Sequence, residues 1–438
     1  MTYQTENKLD ESWQTTPGSN TTRSFTGSSY EDLALSGVPS LGYDSFSCEA
    51  TDETGMSLGW LVVDTMINGR SHGGIRIAPD VSLAELRILA RRMTLKFGFL
   101  GLPGGGAKAG IIGDPEAPPQ QRQALLRRFA VTLAPLLQSG CYQPAHDLGT
   151  GNSEIEDMLT FVGVQRSRRE PSRLLAGFYT GLTVITGAQV AVQHRKLKLA
   201  GLRVALQGFG KVGAAVAQGL VEREARMVAI STSQGALYHP QGLPVKELLR
   251  LSQQVGSELV HVYKEAELIP KEDLLTLPVD LLCPCATSES IHTGNAKQVQ
   301  AGIISPGANY PVTLEAEQIL QNRGILCLPD FVTNSGGVLG GTMTFAGLDS
   351  KTIQQLIEEK LAPRIAALIQ SAEKRGALIS LIAQQEAMQR FLKIKRQTEQ
   401  SGFLGGLFQR GLVLYRRGLI PGFWVKGLAS RYFAAKLQ

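Results

Sequence analysis

The chain has 438 residues, of which 43% are hydrophobic, 6% aromatic and 19% charged; this balance excludes the disordered and fibrous classes and allows roughly two to three domains. The net charge of +6 is carried by one segment: Arg410, Arg416, Arg417, Lys426, Arg431 and Lys436 lie between Ser401 and Gln438 with no acid among them, which leaves residues 1–400 neutral. The five cysteines (Cys48, Cys141, Cys283, Cys285, Cys327) are scattered, and Cys283-Pro-Cys285 has neither redox nor zinc spacing, so they read as reduced core residues.

In chain order, residues 1–30 are rich in Ser, Thr, Asn and Gly without periodicity and read as a disordered leader. The start lacks a basic-then-apolar signal pattern and no apolar run reaches about 18 residues, so a cytoplasmic location is expected. GWLVVDTMI, Gly59 to Ile67, reads as a strand. SLAELRILARRMTLKFGF reads as an amphipathic helix capped by Ser82. Leu86, Leu89, Met93 and Lys96 follow one another at helical offsets, which places Lys96 on the apolar face, an unusual setting for an ammonium group. LPGGGAKAG, Leu102 to Gly110, comes next. Its consecutive glycines cost backbone entropy and offer nothing to pack, so they indicate either a close approach to the backbone or a plain turn.

From Gly201 the texture becomes LRVALQG, ARMVAIS, VDLLCPC, GIIS and GILCLPD, apolar runs of strand length separated by helices. Such alternation predicts a parallel sheet covered on both faces. The residues from 350 to about 395 read as a helical pair that returns to the first domain. The expected division is a substrate-binding α/β domain over 31–190, completed by helices within 345–400, then a dinucleotide-binding domain over 191–340 and a basic aromatic tail over 401–438. In the tail, basic residues alternate with Phe, Leu, Tyr and Trp, a pattern that suits either an anionic membrane or packing within an oligomer.

After LRVALQ comes Gly208-Phe209-Gly210-Lys211-Val212-Gly213, opening a helix with Val212, Val216 and Leu220 in register. In this strand-turn-helix setting the glycines permit a tight turn, approach of a pyrophosphate and close helix packing. The acid expected at the end of the next strand is missing: ARMVAISTSQG offers Ser231, Thr232 and Ser233. Thr232 removes the carboxylate that would repel a ribose 2′-phosphate, and Arg226 or Lys211 is near in sequence. NADP is therefore expected to be accepted at least as well as NAD.

His72-Gly73-Gly74-Ile-Arg76, Met-Thr-Leu-Lys96, PGGGAKAGIIGDP around Lys108, and PAHDLGT with Asp147 form a series. It continues through Thr180-Gly181, QGFGKVG, PCATSESIHTGNA, GANYPVT and LPDFVTNSGGV. The series resembles the glutamate, leucine, phenylalanine and valine dehydrogenase family, in the family's order, over about Gly55 to Val338. The resemblance implies an α/β fold of two domains: a substrate domain and a Rossmann-like doubly wound dinucleotide domain, with the active site in the cleft between them. It also implies an NAD- or NADP-dependent oxidoreductase and a homo-oligomer, often a hexamer, with no part for nucleic acid. By motif, Lys96 corresponds to the lysine holding the substrate α-carboxylate, Lys108 to the catalytic lysine and Asp147 to the proton-transfer aspartate. Asn334 falls where the family contacts substrate, Asn309 and Ala286 where it contacts cofactor, and Thr180 near the nicotinamide amide. Asp147 also reads as a cap for a helix beginning near Ser153.

The match departs from the glutamate enzymes at two positions. They carry a lysine before the GGIR glycines, where this chain has His72, and a serine where it has Gly341. Ala109 and IIGDP look closer to leucine dehydrogenases, while the length and LPGGG look closer to glutamate dehydrogenases. A neutral amino acid, oxidatively deaminated to a 2-oxo acid and ammonia, is the expected substrate. Glutamate is the alternative, and a catalytically weak member with a binding or regulatory role is the alternative of another class. The remaining histidines show no metal-ligand spacing, so no metal is expected.

Overall fold

The Ser82 hydroxyl accepts from the Glu85 amide at 3.2 Å and starts helix α1 (Leu83–Leu100), which Gly101 ends at φ 72° in the left-handed region. These details come from a computed structural model that describes residues 25–26, 45–164, 175–400, 410–412 and 414–437. The leader reading lies outside the described residues, apart from a short strand at Phe25–Thr26.

The first sheet contains β1 (Phe25–Thr26), β2 (Phe46–Thr51), β3 (Ser57–Val63), β4 (Ser71–Ala78), β5 (Gly105–Ile112) and β6 (Tyr142–His146), in the order β1-β2-β3-β5-β4-β6. β5 runs antiparallel to β3 and parallel to β4, and β4 runs parallel to β6. Helix α1 covers one face through Leu86 and Ala90 against Val62 and Ala78. Helices α2 (Pro119–Gln138) and α3 (Asn152–Phe161) cover the other, burying Phe129, Leu133, Ile155 and Met158 on Ile75, Ile77 and Ile111. Because side chains alternate along a strand, β4 and β5 present one set of residues to each helical layer.

The second sheet follows the order β10-β9-β8-β7-β11-β12-β13. It comprises β7 (Arg203–Gln207), β8 (Arg226–Thr232), β9 (Gly235–Tyr238), β10 (Glu267–Ile269), β11 (Leu281–Pro284), β12 (Ile303–Ile304) and β13 (Leu326–Cys327). All five apolar runs singled out in the sequence form parallel strands. The sheet as a whole is mixed, which corrects the wholly parallel expectation: β9 and β10 add an antiparallel edge. The cause is local, since Thr232 pairs with Gly235 across a two-residue turn, a connection open to antiparallel neighbours and not to parallel ones.

Around this sheet lie α4 (Ala176–His194), α5 (Lys211–Val221), α6 (Val245–Val255), α7 (Leu259–Val262), α8 (Leu314–Asn322) and α9 (Asp330–Thr333). Then come α10 (Gly336–Phe345), α11 (Ser350–Leu356), α12 (Ala362–Arg375) and α13 (Ile379–Glu399). Helix α13 returns to α1 so closely that a Cβ on Gly98 would sit 2.1 Å from the Ala387 carbonyl oxygen. The C-terminal helix Gly422–Lys436 packs on its own chain. Phe433 and Leu437 are buried, and Arg364 donates to the Lys436 carbonyl at 2.8 Å.

Candidate active site

A cleft of about 2750 Å³ is lined by β4, β6 and α1 on one side and by the start of α5, the loops after β11 and β12, and α10 on the other. Period-2 alternation puts His72, Gly74 and Arg76 of β4 on one face, beside Gly106, Lys108 and Gly110 of the paired β5. Lys108 projects from that face, and its Nζ lies 2.5 Å from Asp147 Oδ2. Asp147 follows β6 and also accepts from Arg76 Nε at 3.1 Å; Arg76 in turn pairs with Glu85 of α1. Asp147 therefore serves the lysine and not a helix end: α3 begins at Asn152 behind Gly151, whose amide Glu154 accepts.

Burial drives the electrostatics. Desolvation lowers the Lys108 pKa; Asp147 opposes this and Arg76 adds to it. Burial alone would raise Asp147, but Lys108 and Arg76 hold it well below the usual carboxylate range. Desolvation likewise pushes Lys96 down to about 8, with Asp330 opposing and Lys108 assisting. The sequence suggested Lys96 as the second positive charge beside Lys108. The cation in direct contact with their shared carboxylate is Arg76, a residue the motif reading quoted and did not assign. Its signal was the even spacing His72, Gly74, Arg76 on a strand.

The glycine run has a different purpose from the one its sequence suggested. Lys108 stands on a strand, not in a loop folded around substrate. A Cβ on Gly104 would fall 2.4 Å from the Phe97 ring, and one on Gly106 would fall 2.3 Å from the Thr94 amide nitrogen. The glycines let α1 lie directly on β5, which brings Lys96 and Lys108 into one cavity. Gly74 clears the space for the Lys108–Asp147 contact: a Cβ there would be 2.9 Å from Asp147 Cβ and 3.3 Å from Lys108 Nζ. Gly73 admits the Ala107 carbonyl oxygen, 1.7 Å from where its Cβ would be.

Lys96 reaches across the cleft and donates to Asn309 Oδ1 at 2.9 Å, and Asn334 Nδ2 donates to the same oxygen at 3.1 Å. Asn309, assigned to cofactor in sequence, thus stands on the lysine assigned to the substrate carboxylate. Below them Arg92 faces Asp330 at 3.4 Å, and the Tyr310 amide donates to Asp330 at 2.9 Å, a support the motifs did not reveal. His72 packs its ring against Phe97, centroids 5.5 Å apart. Gly341 lines the cleft, and a Cβ there would meet nothing within 4 Å.

The three glycines after β7 differ in what they permit. Gly208 turns the chain at φ 89°, and its amide donates to Ser231 Oγ at 3.0 Å. Gly213 admits the Gly208 carbonyl, 1.8 Å from where a Cβ would be. Gly210 faces open space at the start of α5 with no side-chain cap, which leaves the first amides of that helix for an anion. Gly210, Lys211, Val212, Ala286, Asn309 and Thr180 line the cleft, whereas Phe209 is buried in the core. Thr180 donates to the Ala176 carbonyl at 2.8 Å and Thr232 to the Ser257 carbonyl at 2.9 Å; Thr232 is not part of the cleft wall. Cys285 reaches the wall too, but burial pushes its thiol up to about 12, which leaves no thiolate for nucleophilic chemistry.

Comparison with known proteins matches this geometry. The model of the Glutamate/Leucine/Phenylalanine/Valine dehydrogenase family matches residues 176–402, and that of the Glu/Leu/Phe/Val dehydrogenase dimerisation domain matches residues 45–162. A glutamate dehydrogenase of Thermotoga maritima is 36% identical over 299 residues, 64% of this chain and 70% of its own length. One of Aeropyrum pernix is 33% identical over 340 residues, 72% of this chain and 80% of its own. Among solved structures, the hetero-hexameric glutamate dehydrogenase of Thermus thermophilus in a leucine-bound form superposes with TM-score 0.67 at 28% identity, covering 80% of this chain and 88% of that one. With both family models matched in order over the two sheets and the cleft residues converging as the motifs require, the chain belongs to the Glu/Leu/Phe/Val dehydrogenase family and is an amino-acid dehydrogenase, an oxidoreductase that works with NAD or NADP.

Proposed function

We propose that this enzyme carries out the reversible oxidative deamination of a neutral L-amino acid to its 2-oxo acid and ammonia. One observation carries the reading: a desolvated amine, Lys108, sits 2.5 Å from an ionised carboxylate at the base of a cleft whose other wall is a glycine-rich helix start. Gly210, Lys211 and the free amides of α5 fit the pyrophosphate of a dinucleotide, with Thr180 and Ala286 further along the wall. The bound nicotinamide supplies a hydride acceptor.

Lys96 gives up Asn309 to hold the substrate α-carboxylate. The Asn334 side-chain oxygen, buried and without a hydrogen-bond partner among the described residues, accepts from the substrate ammonium. Hydride leaves the α-carbon and the substrate becomes an iminium ion. Water adds to that carbon while Lys108 Nζ takes its proton, a role that requires the neutral amine and so benefits from the lowered pKa. The proton passes through Asp147 to the departing nitrogen, and ammonia leaves as the carbonyl forms. These paired groups favour catalysis over a binding role alone.

The neutral side chain is argued from the cleft. A buried carboxylate needs a paired charge or several hydrogen bonds. At the two positions noted in the sequence this chain offers His72, stacked on Phe97, and Gly341, which faces open space. Leucine, valine or phenylalanine is expected to exceed glutamate in kcat/KM at about pH 8, with the gap narrowing at lower pH as imidazole gains charge. Glutamate ahead by a wide margin at the higher pH sinks this reading. Glutamate remains the second reading, favoured by the names of the relatives. For the cofactor, calorimetric titration should give NADP a Kd no weaker than that of NAD, since the Thr232 hydroxyl leaves no carboxylate at the end of β8. A strong NAD preference identifies a different ribose reader.

A further inference from the structure

We propose that the outer face of the C-terminal helix, Gly422–Lys436, docks on an anionic lipid bilayer. The helix is apolar on two opposite sides. Ala429 and Phe433 fill the inner stripe and are buried in the chain's own core, together with Leu437 just beyond the helix. On the opposite side Trp424, Leu428, Arg431 and Ala435 recur at helical spacing and are exposed, with Trp424 at 64% and Leu428 at 74%. Phe423, 73% exposed, stands edge-on to Trp424 at 6.0 Å, and Leu419 precedes the helix at 66%. One apolar side accounts for the packing on the chain; the second needs another occupant.

Charge selects that occupant. Every formal charge between Ser401 and Gln438 is positive, and Arg410, Arg417 and Arg431 are exposed. A twofold contact of this face with a second copy would set a wholly cationic segment against itself. An anionic headgroup layer complements it, accepts the arginine heads and takes the Trp and Phe rings into its apolar border. The helix lies along such a surface, since no helix among the described residues is long and apolar enough to cross a membrane. The segment also lies beyond residue 402, where the family match stops, so the surface is an addition to the enzyme and not part of its catalytic frame.

The test is sedimentation of the full chain with vesicles of phosphatidylcholine alone and of phosphatidylcholine with about a third phosphatidylserine. At least about tenfold stronger partitioning to the anionic vesicles is expected, weakened by added salt. Phe423→Ser with Trp424→Ser should abolish it and Arg417→Gln with Arg431→Gln should reduce it, with kcat unchanged in both. The wild-type emission should shift to the blue on binding, and the shift should be missing in Trp424→Phe. Absence of partitioning to the anionic vesicles overturns the proposal. So does a Phe423→Ser/Trp424→Ser protein that falls in mass by light scattering while the wild type ignores vesicles, because that result assigns the face to a second copy.

Discussion

Lys108→Met is expected to lower kcat by about 10²- to 10⁴-fold, the range of a positioned proton-transfer group. Methionine keeps the length and apolar stem of the side chain and removes only the amine, so the strand pairing of Lys108 with Val62 is preserved. Asp147→Asn should cause a loss of the same order, because the amide keeps the shape and cannot relay the proton. Neither residue belongs to the glycine loop after β7, so NAD(P) affinity by titration should stay nearly constant. Wild-type turnover in both variants would mean that water is activated elsewhere.

The second large effect is expected at Arg76. Its guanidinium is buried between Asp147 and Glu85, and Arg76→Leu leaves both carboxylates short of a partner. Removing one member of a buried ion pair costs about 3–5 kcal/mol, which urea unfolding at neutral pH should show. The cost has a sign in pH. Asp147 is held below its unfolded value, so its pairing stabilises the fold above about pH 4 and is lost as pH falls through the lowered value. Catalysis supplies a separate readout. Arg76 helps to lower the Lys108 pKa, so its loss raises that pKa and moves the rise of kcat with pH to more alkaline conditions. A stability loss with an unmoved pH profile would make Arg76 purely structural.

What could be read from the sequence was what depends on local order. Helical offsets put Lys96 on the apolar face of α1, and it is buried there. The alternation of strand and helix after Gly201 marked each parallel strand, and the glycine spacing marked the turn into α5. What could not be read depends on which distant segments become neighbours. Arg76 meets Asp147 because β6 lies beside β4, a choice that neither segment encodes alone. The Gly104–Gly106 run makes room for α1, and nothing within nine residues of sequence names the atoms that fill the vacated space. The antiparallel edge β9–β10 was overlooked because its strands are short and hang on a two-residue turn.

The Lys96–Asn309 hydrogen bond spans the two walls of the cleft. A substrate carboxylate arriving there does not gain a lysine that was idle; it trades places with an amide oxygen already seated on that lysine. The free energy of recognition is thus the difference between two contacts, which is smaller than either. Such an exchange limits how tightly the ground state can be held, so more of the site's complementarity is expressed as the α-carbon reacts than as the substrate settles. Each visit of substrate also unfastens one wall from the other, and each departure of product lets them rejoin.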